Sequence, residues 1–317
     1  AGRMISFSFL FWIFLYLFQN LENFKIFLKF IFYLATFSVL LNLILFFLPS
    51  IVYNYLSKFY IHKIIYPRLG YPFTHPNTFA SFLIISLIIF LFNDFNLIGD
   101  RNILIIYTLI SLGIILSGSK AGLIFYFLYS FLYLIYFKEK AFNISKLLSQ
   151  IFIITLIIFI IIWLPLDKNK ILLKIISYFN EEKVLQKSIE KVHTIREYKE
   201  LSVYRRIKIW EDAFYYWLQK PIFGFGALVH RYELTKKFAH NIFLDFLINY
   251  GILGFGFLIY LVILIWNKIS KVKKPIYTFL FLYFLLHNLI DTLFFNGVID
   301  MIFYAFLVKL INEKNTI

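Results

Sequence analysis

The chain has 317 residues, of which 61% are hydrophobic and 42 are phenylalanine, with a formal net charge of +15 and no cysteine. A soluble domain of this size cannot bury so much apolar surface, so the composition predicts an all-α, polytopic integral membrane protein. The missing cysteines exclude disulfides, a thiolate nucleophile and a cysteine-ligated metal. The positive charge fits anionic headgroups beside the spans, so membrane lipids rather than nucleic acid are the expected partners.

Apolar runs predict about nine transmembrane helices, counted by the length that a bilayer requires. They lie near residues 5–19, 26–48, 78–92, 102–117, 121–137, 147–165, 243–266, 275–291 and 298–311. The first segment has no basic start and no small-residue cleavage site, so no cleavable signal peptide is predicted. Residues 1–166 therefore carry N-terminal transmembrane helices, residues 167–240 form one large, partly helical loop, and residues 241–317 carry C-terminal transmembrane helices. Together they are expected to form one integrated membrane domain.

Lysines in two short loops orient the chain. Three lie between residues 138 and 146, and four lie between residues 268 and 274. The positive-inside rule makes both loops cytoplasmic, so the loop 167–240 is extracytoplasmic. This loop is itself basic, but long segments translocate largely regardless of charge.

The sequence Ser117-Gly-Ser-Lys-Ala-Gly122 places Lys120 at the outer end of a predicted span. Gly118 and Gly122 fit a small-xxx-small pattern for helix packing, with the Lys120 side chain snorkelling to the headgroups. The alternative is that Lys120 binds a phosphate. The pattern alone leaves both interpretations open.

An amphipathic helix is predicted to begin near Arg205. One face of it carries Arg206, Trp210, Ala213 and Trp217. This pattern suits a helix lying at the headgroup level. The two adjacent arginines form either a solvated or lipid-facing patch, or a pair of guanidinium forks that binds a diphosphate.

The loop re-enters the membrane at His240. Asn241, Asp245 and Asn249 recur every four residues and form one polar stripe if the segment is helical. Polar groups at membrane depth are costly, so such a stripe usually faces a cavity or a partner. The His240 imidazole at this junction is either structural or a neutral proton acceptor.

His287 and Asp291 lie one helical turn apart in a late span. They form either a hydrogen-bonded packing pair or a functional pair, since intramembrane ionisable groups are functional candidates.

Motifs for metal-dependent and nucleotide-dependent chemistry are missing from the sequence. No D-x-D, H-E-x-x-H or P-loop pattern occurs. Gly224-Phe-Gly226 lacks the third glycine of a dinucleotide fingerprint and is predicted to form a turn after Pro221. ATP-driven transport and metal-dependent hydrolysis therefore have no support in the sequence.

Three motifs in order resemble the O-antigen ligase and O-antigen polymerase superfamily of bacterial envelope enzymes. They are Phe73-Thr-His-Pro-Asn-Thr-Phe-Ala80, Leu116-Ser-Gly-Ser-Lys-Ala-Gly122, and a composite of Arg206, Trp210, Pro221-Ile-Phe-Gly-Phe-Gly226, His240-Asn241 and Tyr250-Gly-Ile-Leu-Gly254. The resemblance covers roughly residues 66–300, and the His287 and Asp291 pair also fits it. Two departures are the lysine at 120, where the family carries arginine, and fewer N-terminal spans than typical relatives have.

The resemblance implies transfer of a glycan from a polyprenyl (undecaprenyl) diphosphate carrier to an acceptor hydroxyl on the periplasmic side of the bacterial inner membrane. Because the lipid diphosphate is already a good leaving group, no nucleotide, metal or other cofactor is expected. Such a reaction needs fixed cations where negative charge develops and a base for the acceptor hydroxyl. Inversion at the anomeric carbon is the expected stereochemistry.

The resemblance also implies roles for individual residues. Arg206 and Lys120 bind the diphosphate, and His240 is the base or orients the acceptor. The further diphosphate-binding candidates are Arg205 and Arg68. The supporting groups are Asn241, Asp245, His287 and Asp291.

The acceptor distinguishes three activities on this scaffold. A ligase uses lipid A-core, a polymerase uses another lipid-linked glycan, and a protein O-glycan transferase uses a protein. The Ser-Gly-Ser-Lys-Ala-Gly element and the compact loop favour the ligase of lipopolysaccharide biosynthesis. A rival of another class is a lipid-glycan or anion transporter, which would instead show inverted repeats or broken helices that meet at the membrane midplane.

Overall fold

The computed structural model describes residues 12–48, 70–73, 75–92, 100–136, 207–226, 241–290 and 298–313. Every regular element in these ranges is a helix, and none of the residues in them forms a strand. Residues 12–17 form a short helix. The longer helices are α1 (Leu21–Phe47), α2 (Pro76–Leu91), α3 (Asp100–Ser117), α4 (Lys120–Tyr136), α5 (residues 207–219), α6 (Ile242–Val272), α7 (Pro275–Ile290) and α8 (Val298–Asn312).

Seven of the predicted apolar segments coincide with helices α1–α4 and α6–α8. Helix α1 begins earlier than predicted because Asn20 caps it, with its side-chain oxygen accepting the Glu22 N–H at 2.8 Å. Helix α6 extends past the predicted end at residue 266, and Lys271 lies in its last turn, where a cation is favourable. The predicted span 147–165 lies outside the described residues, and of the span 5–19 the structure describes residues 12–19.

Two of these helices, α1 and α6, are long and apolar enough to cross a bilayer. Shorter apolar helices occupy Pro76–Leu91, Ile105–Ser117, Lys120–Tyr133 and Pro275–Leu289. The all-helical class is thus confirmed for the described residues. Nine membrane crossings do not follow from these lengths, so that topology stays a prediction.

The chain divides into two compact units, and each is described by itself. The first unit is Asn20–Val192 and contains α1–α4. The second unit combines Ala1–Gln19 with His193–Ile317 and contains α5–α8.

Helix α2 is the centre of the first unit and contacts α1, α3 and α4. All of its residues from Phe79 to Leu91 are buried. This follows from its sequence, which is apolar around the whole helix rather than along one stripe. Its two buried serines are satisfied within the helix, since Ser81 and Ser86 donate to carbonyls one turn earlier at 2.9 and 2.8 Å.

A chain of buried hydroxyls joins α3 to α4. Tyr107 donates to Ser130 at 2.8 Å, Tyr126 donates to Tyr107 at 3.0 Å, and Ser111 lies 3.0 Å from the Tyr126 hydroxyl. Each polar group in this apolar setting has a partner, so the network fixes the register of the two helices.

Glu313 forms polar contacts with residues at the ends of three helices in the second unit. Its carboxylate pairs with Lys274 at 2.8 Å and accepts from the Tyr277 hydroxyl at 3.3 Å. Its backbone carbonyl accepts from Lys268 at 2.8 Å. The end of α6, the start of α7 and the end of α8 therefore meet at one carboxyl-bearing residue.

Candidate functional site

Four of the nine candidate site residues lie within the described part of the chain. They are Lys120 in the first unit and Asn241, Asp245 and His287 in the second. The other five lie outside the described residues, so their roles stay predictions. These five are Arg68, Arg205, Arg206, His240 and Asp291.

The segment before α2 is fixed to α1 by a buried asparagine. Asn42 donates through Nδ2 to the Tyr71 carbonyl and accepts the Tyr71 N–H at 3.0 Å. His75 then caps α2, with its Nδ1 accepting the Asn77 N–H at 3.1 Å. Because Nδ1 acts as an acceptor, it carries no proton in this arrangement. The Pro-Asn element therefore forms the first turn of α2, and the hydrogen bonds of Asn42 and His75 fix its position.

The Ser-Gly-Ser-Lys-Ala-Gly motif forms the tight turn between α3 and α4. Gly118 has a φ of 57°, in the left-handed region, and lies between the two helices rather than within one. Ser119 caps α4, with its hydroxyl 3.2 Å from the Gly122 N–H, and its own N–H donates to Ser117 Oγ at 3.2 Å. Gly118 is thus a turn residue between the two helices.

The second glycine of the motif does pack against a helix. A Cβ built on Gly122 would lie 2.7 Å from the Cβ of Ala80 in α2. The first turns of α2 and α4 are consequently in direct contact, which brings two of the three family motifs together. Lys120 is exposed at the first position of α4. Two helix N-termini and a lysine give this end of the first unit a positive electrostatic character.

In the second unit, Asn241 fixes the start of α6. Its Oδ1 accepts the N–H groups of Phe243 and Leu244 at 3.0 and 3.3 Å. Its Nδ2 donates to the carbonyl of Leu289 in the last turn of α7 at 3.3 Å. Asn241 therefore joins the N-terminus of α6 to the C-terminus of α7. Its partner Leu289 is two residues from His287 in the sequence.

The predicted polar stripe continues from Asn241 along α6. Asp245 and Asn249 are both partly buried, and the helix is regular up to this point. The Asn249 side-chain oxygen is buried and meets no hydrogen-bond donor among the described residues. A buried oxygen of this kind is costly unless a partner reaches it, so Asn249 marks a polar position on an apolar helix.

Helix α6 is broken at Gly251, which has φ 64° and ψ −164°. The segment 221–226 supplies the backbone partners that the break removes, in a reciprocal exchange of four hydrogen bonds. They run from Phe225 N to Ile248 O at 2.8 Å, from Gly226 N to Asn249 O at 2.8 Å, from Ile252 N to Pro221 O at 2.8 Å, and from Leu253 N to Ile222 O at 3.4 Å. We call this arrangement, formed by residues 221–226 and 248–253, the backbone clasp.

Glycines at both sides of the backbone clasp permit the close approach. A Cβ on Gly251 would lie 2.2 Å from the Ile222 carbonyl oxygen. A Cβ on Gly224 would lie 2.6 Å from three backbone atoms of α6. The turn predicted after Pro221 is confirmed, but its role in completing α6 is not evident from the local sequence.

Helix α5 packs on α6 through the face that the sequence assigned to the membrane surface. Ala213 is fully buried against Ile248, and Trp217 is partly buried in the same cluster. Trp217 Nε1 also donates to the Pro221 carbonyl at 3.2 Å. This face therefore packs on the side of α6 that carries Ile248, and the placement of α5 at the headgroup level stays a prediction.

Buried polar groups gather where α7 ends and α8 begins. His287, Asn288 and Asp300 are each only 3% exposed. Asn288 Nδ2 donates to the Phe284 carbonyl at 2.7 Å, and the His287 ring packs 5.4 Å from the Tyr283 ring. Asp300 was missed by the sequence reasoning, although an acid inside the apolar run 298–311 was the available signal.

His287, Asn288 and Asp300 lie at one end of the pair formed by α7 and α8. Ring contacts between Tyr277 and Phe306 and between Phe284 and Phe303 align the two helices antiparallel. This alignment places Asp300 toward the His287 end of α7. In the part of the chain that the structure covers, no group of three or more His, Cys, Asp or Glu side chains is placed to hold a metal ion.

A family model described as O-Antigen ligase matches residues 105–259. The matched region includes the turn between α3 and α4, helix α5, the backbone clasp and the capped start of α6. Neither the curated proteins nor the solved structures contain a match to this chain.

Proposed function

We propose that this chain, which belongs to the O-antigen ligase and polymerase superfamily, transfers a glycan from an undecaprenyl diphosphate carrier to lipid A-core. Membership itself makes it a membrane-integral protein of a glycosyltransferase-type family. The observation that carries the proposal is the family match over residues 105–259, which contains the first two diphosphate candidates, Lys120 and Arg206.

The donor is proposed to bind through its diphosphate. Lys120 is exposed at the N-terminus of α4, where the helix dipole and the adjacent start of α2 add to its charge. Such a position supports a role in neutralising phosphate oxygens. Arg206 is the proposed main partner, with Arg205 and Arg68 as further cations, since guanidinium groups bind phosphate oxygens bidentately. A lysine at position 120 keeps the charge but not the fork that arginine would provide.

The acceptor is proposed to react at His240. In this step the acceptor hydroxyl oxygen forms a bond to the anomeric carbon while the bond from that carbon to the diphosphate oxygen breaks. The hydroxyl proton passes to His240, and the lipid diphosphate leaves with the bonding electrons. Direct displacement of this kind inverts the anomeric configuration. It uses the activation already present in the donor, and we assign no metal or nucleotide to it.

The capped start of α6 supports the position given to His240. Asn241, which directly follows His240 in the sequence, is held by three hydrogen bonds. Asn241 and Asp245 are proposed to orient the acceptor. His287 is proposed to support them from the end of α7, together with Asp291.

The proposed topology has nine spans in the bacterial inner membrane, with the site facing the periplasm. Residues 1–166 and 241–317 carry the helices, and residues 167–240 form the periplasmic loop. In the second unit, Asn241 and Leu289 meet at one end of the helices, whereas Lys268, Lys274 and Glu313 meet at the other. Polar candidates at one end and lysines at the opposite end are what the positive-inside rule expects.

The decisive experiment is a transfer assay with the purified full chain and a polyprenyl diphosphate-linked oligosaccharide. Lipid A-core, a second donor molecule and an acceptor protein are offered separately, with and without EDTA. We expect EDTA-resistant transfer to lipid A-core that is lost in His240→Ala and Arg206→Ala. His230→Ala and Arg231→Ala, which change the same residue types in the same loop, serve as matched controls and retain activity.

The other results redirect the assignment. Growth of donor on donor would make the chain a polymerase, and transfer to protein would make it a protein O-glycan transferase. No transfer to any acceptor with intact donor would overturn the enzyme and favour a transporter. Full activity in His240→Ala would remove the role proposed for that residue alone.

A further inference from the structure

Three lysines converge on one acidic residue at the end of the second unit where α6 and α8 finish. We call Lys268, Lys274, Lys309 and Glu313 the lysine cluster. Lys274 Nζ lies 2.8 Å from Oε2 of Glu313, and Lys268 Nζ donates to the Glu313 backbone carbonyl at 2.8 Å. Lys309 lies one turn before Glu313 on α8 and interacts electrostatically with both Glu313 and Lys274. The cluster thus brings together α6, α8 and the connection that leads into α7.

The charges of the lysine cluster do not balance. Three ammonium groups meet a single carboxylate, which leaves an excess of two positive charges. The C-termini of α6 and α8 each add a partial negative charge of about half, and the N-terminus of α7 adds a partial positive charge of about the same size. More than one positive charge therefore remains, which is enough to attract a monovalent anion.

This excess charge is largely withdrawn from water. The Lys309 residue is only 7% exposed, and the side chains of Lys274 and Glu313 are 29% and 15% exposed. Charge held at such burial is costly unless a counter-charge compensates it. Lys271 and Lys273 in the same connection are exposed instead, so water can hydrate them. The lysine cluster is thus a more enclosed setting than its neighbouring lysines provide.

Trp266 marks the depth of the lysine cluster in the bilayer. Its side chain is 44% exposed, and its ring stacks on the Phe281 ring at 6.2 Å. Tryptophan is enriched at the boundary between the hydrocarbon and the headgroups. A rise of about 1.5 Å per residue puts Lys268 about 3 Å further along the helix axis than Trp266. The lysine cluster then lies at the level of the lipid phosphates.

We propose that the lysine cluster binds the phosphate group of one anionic phospholipid, such as phosphatidylglycerol. A phosphodiester carries a single negative charge and accepts hydrogen bonds from ammonium groups, so it matches the excess charge. The choline group of phosphatidylcholine would be repelled by the same excess. The bound lipid would join α6 and α8 at the start of α7 and thereby stabilise the second unit.

The proposed lipid is distinct from the glycan donor. In the proposed topology the lysine cluster lies at the cytoplasmic end of the helices, whereas Asn241 and Leu289 meet at the other end. The inference concerns a lipid that holds the helices together. It does not depend on the transfer reaction proposed above.

Thermal unfolding of the purified full chain in detergent tests the proposal. Tryptophan fluorescence follows the unfolding midpoint while phosphatidylglycerol, phosphatidylcholine or inorganic phosphate is added. We expect phosphatidylglycerol alone to raise the midpoint, because a ligand of the folded state stabilises it. The double variant Lys268→Gln, Lys309→Gln should bind phosphatidylglycerol about tenfold more weakly, the effect of losing one charge-assisted hydrogen bond.

Lys271→Gln, Lys273→Gln is the matched control, since it removes the same amount of charge from exposed positions of the same connection. Its affinity for phosphatidylglycerol should stay within about twofold of that of the native chain. An equal loss in both double variants would overturn the site, because general surface charge would then explain the binding. Equal stabilisation by phosphatidylcholine or by inorganic phosphate would overturn the anionic phospholipid as the occupant.

A second measurement leaves every lysine in place, because Lys309 is buried and its replacement also changes packing. The native chain is placed in phosphatidylcholine nanodiscs with a small fraction of phosphatidylglycerol or phosphatidylcholine brominated near the headgroup. Brominated phosphatidylglycerol should quench tryptophan fluorescence more strongly, and the difference should disappear in Trp266→Phe. Equal quenching by the two lipids would overturn the proposal. A difference that persists in Trp266→Phe would also overturn it, since the lipid would then be bound elsewhere.

Discussion

Gly122, in the first turn of α4, lets this helix approach the Ala80 side chain of α2. In the backbone clasp, by contrast, Gly224 and Gly251 let two backbone segments approach each other. The first contact involves the Ala80 methyl group, so relief requires a shift of α2 or α4 but breaks no backbone hydrogen bond between them. The second involves carbonyl oxygens and N–H groups that are already committed to hydrogen bonds. A helix interface can therefore yield to an added methyl group, but a hydrogen-bonded backbone cannot do so without losing its partners.

The largest effect is expected for Gly251→Ala. The new Cβ would lie 2.2 Å from the Ile222 carbonyl oxygen, and the φ of 64° is unfavourable for alanine. The free energy of unfolding should fall by more than about 3 kcal/mol, because strain and lost backbone hydrogen bonds combine. Denaturation of the detergent-solubilised chain with SDS, followed by tryptophan fluorescence, measures this loss.

Gly256→Ala in the same helix is the matched control. A Cβ on Gly256 has no atom within 4 Å, so the substitution should be neutral or stabilise by up to about 1 kcal/mol. Equal destabilisation by both substitutions would contradict the clasp as the cause.

A smaller loss, about 1 to 2 kcal/mol, is expected for Gly122→Ala, because overpacking an interface displaces neighbouring helices. The added Cβ would lie 2.7 Å from the Ala80 Cβ. Combining it with Ala80→Gly makes room, so the double variant should lose less stability than the sum of the two single variants. Strict additivity would show that these two residues do not limit the approach of α2 and α4.

The smallest loss of stability is expected at the N-cap of α6, Asn241, which holds this helix in addition to the backbone clasp. Asn241→Ala removes the acceptor for the Phe243 and Leu244 N–H groups and should cost about 1 kcal/mol. Asn241→Ser keeps a capping oxygen but not the Nδ2 donor to Leu289, so it should recover most of the loss. The same SDS titration measures both variants. A cost as large as that of Gly251→Ala would mean that the cap, not the clasp, is the main anchor.

Hydropathy was sufficient to predict the seven long helices among the described residues, because an apolar run of this length has few alternatives in a membrane. It could not predict the break at Gly251. The partners of that break lie about 30 residues earlier, and no local pattern links Pro221 to Ile252. The same limitation applies to α5, since its packing on α6 through Ala213 depends on Ile248, which lies 35 residues later in the sequence.

The candidate site was predicted in outline through the family motifs, and two of these motifs meet where Gly122 contacts Ala80. The helical spacing of His287 and Asp291, one turn apart in the sequence, predicted them as a pair. Asp300 has no His or carboxylate partner one turn away, so its signals are its place in an apolar run and its burial in α8. A pairwise search along one helix does not detect groups that become neighbours through tertiary packing.

The backbone clasp also has a consequence for how the protein is made. Residues 221–226 leave the ribosome before residues 248–253, so the short segment is already available when α6 enters the bilayer. In the proposed topology, α6 without this segment would leave four backbone groups unpaired, at a cost of several kcal/mol for each group that hydrocarbon surrounds. That topology therefore couples membrane insertion of α6 to docking of the preceding loop, and the loop completes the helix that follows it.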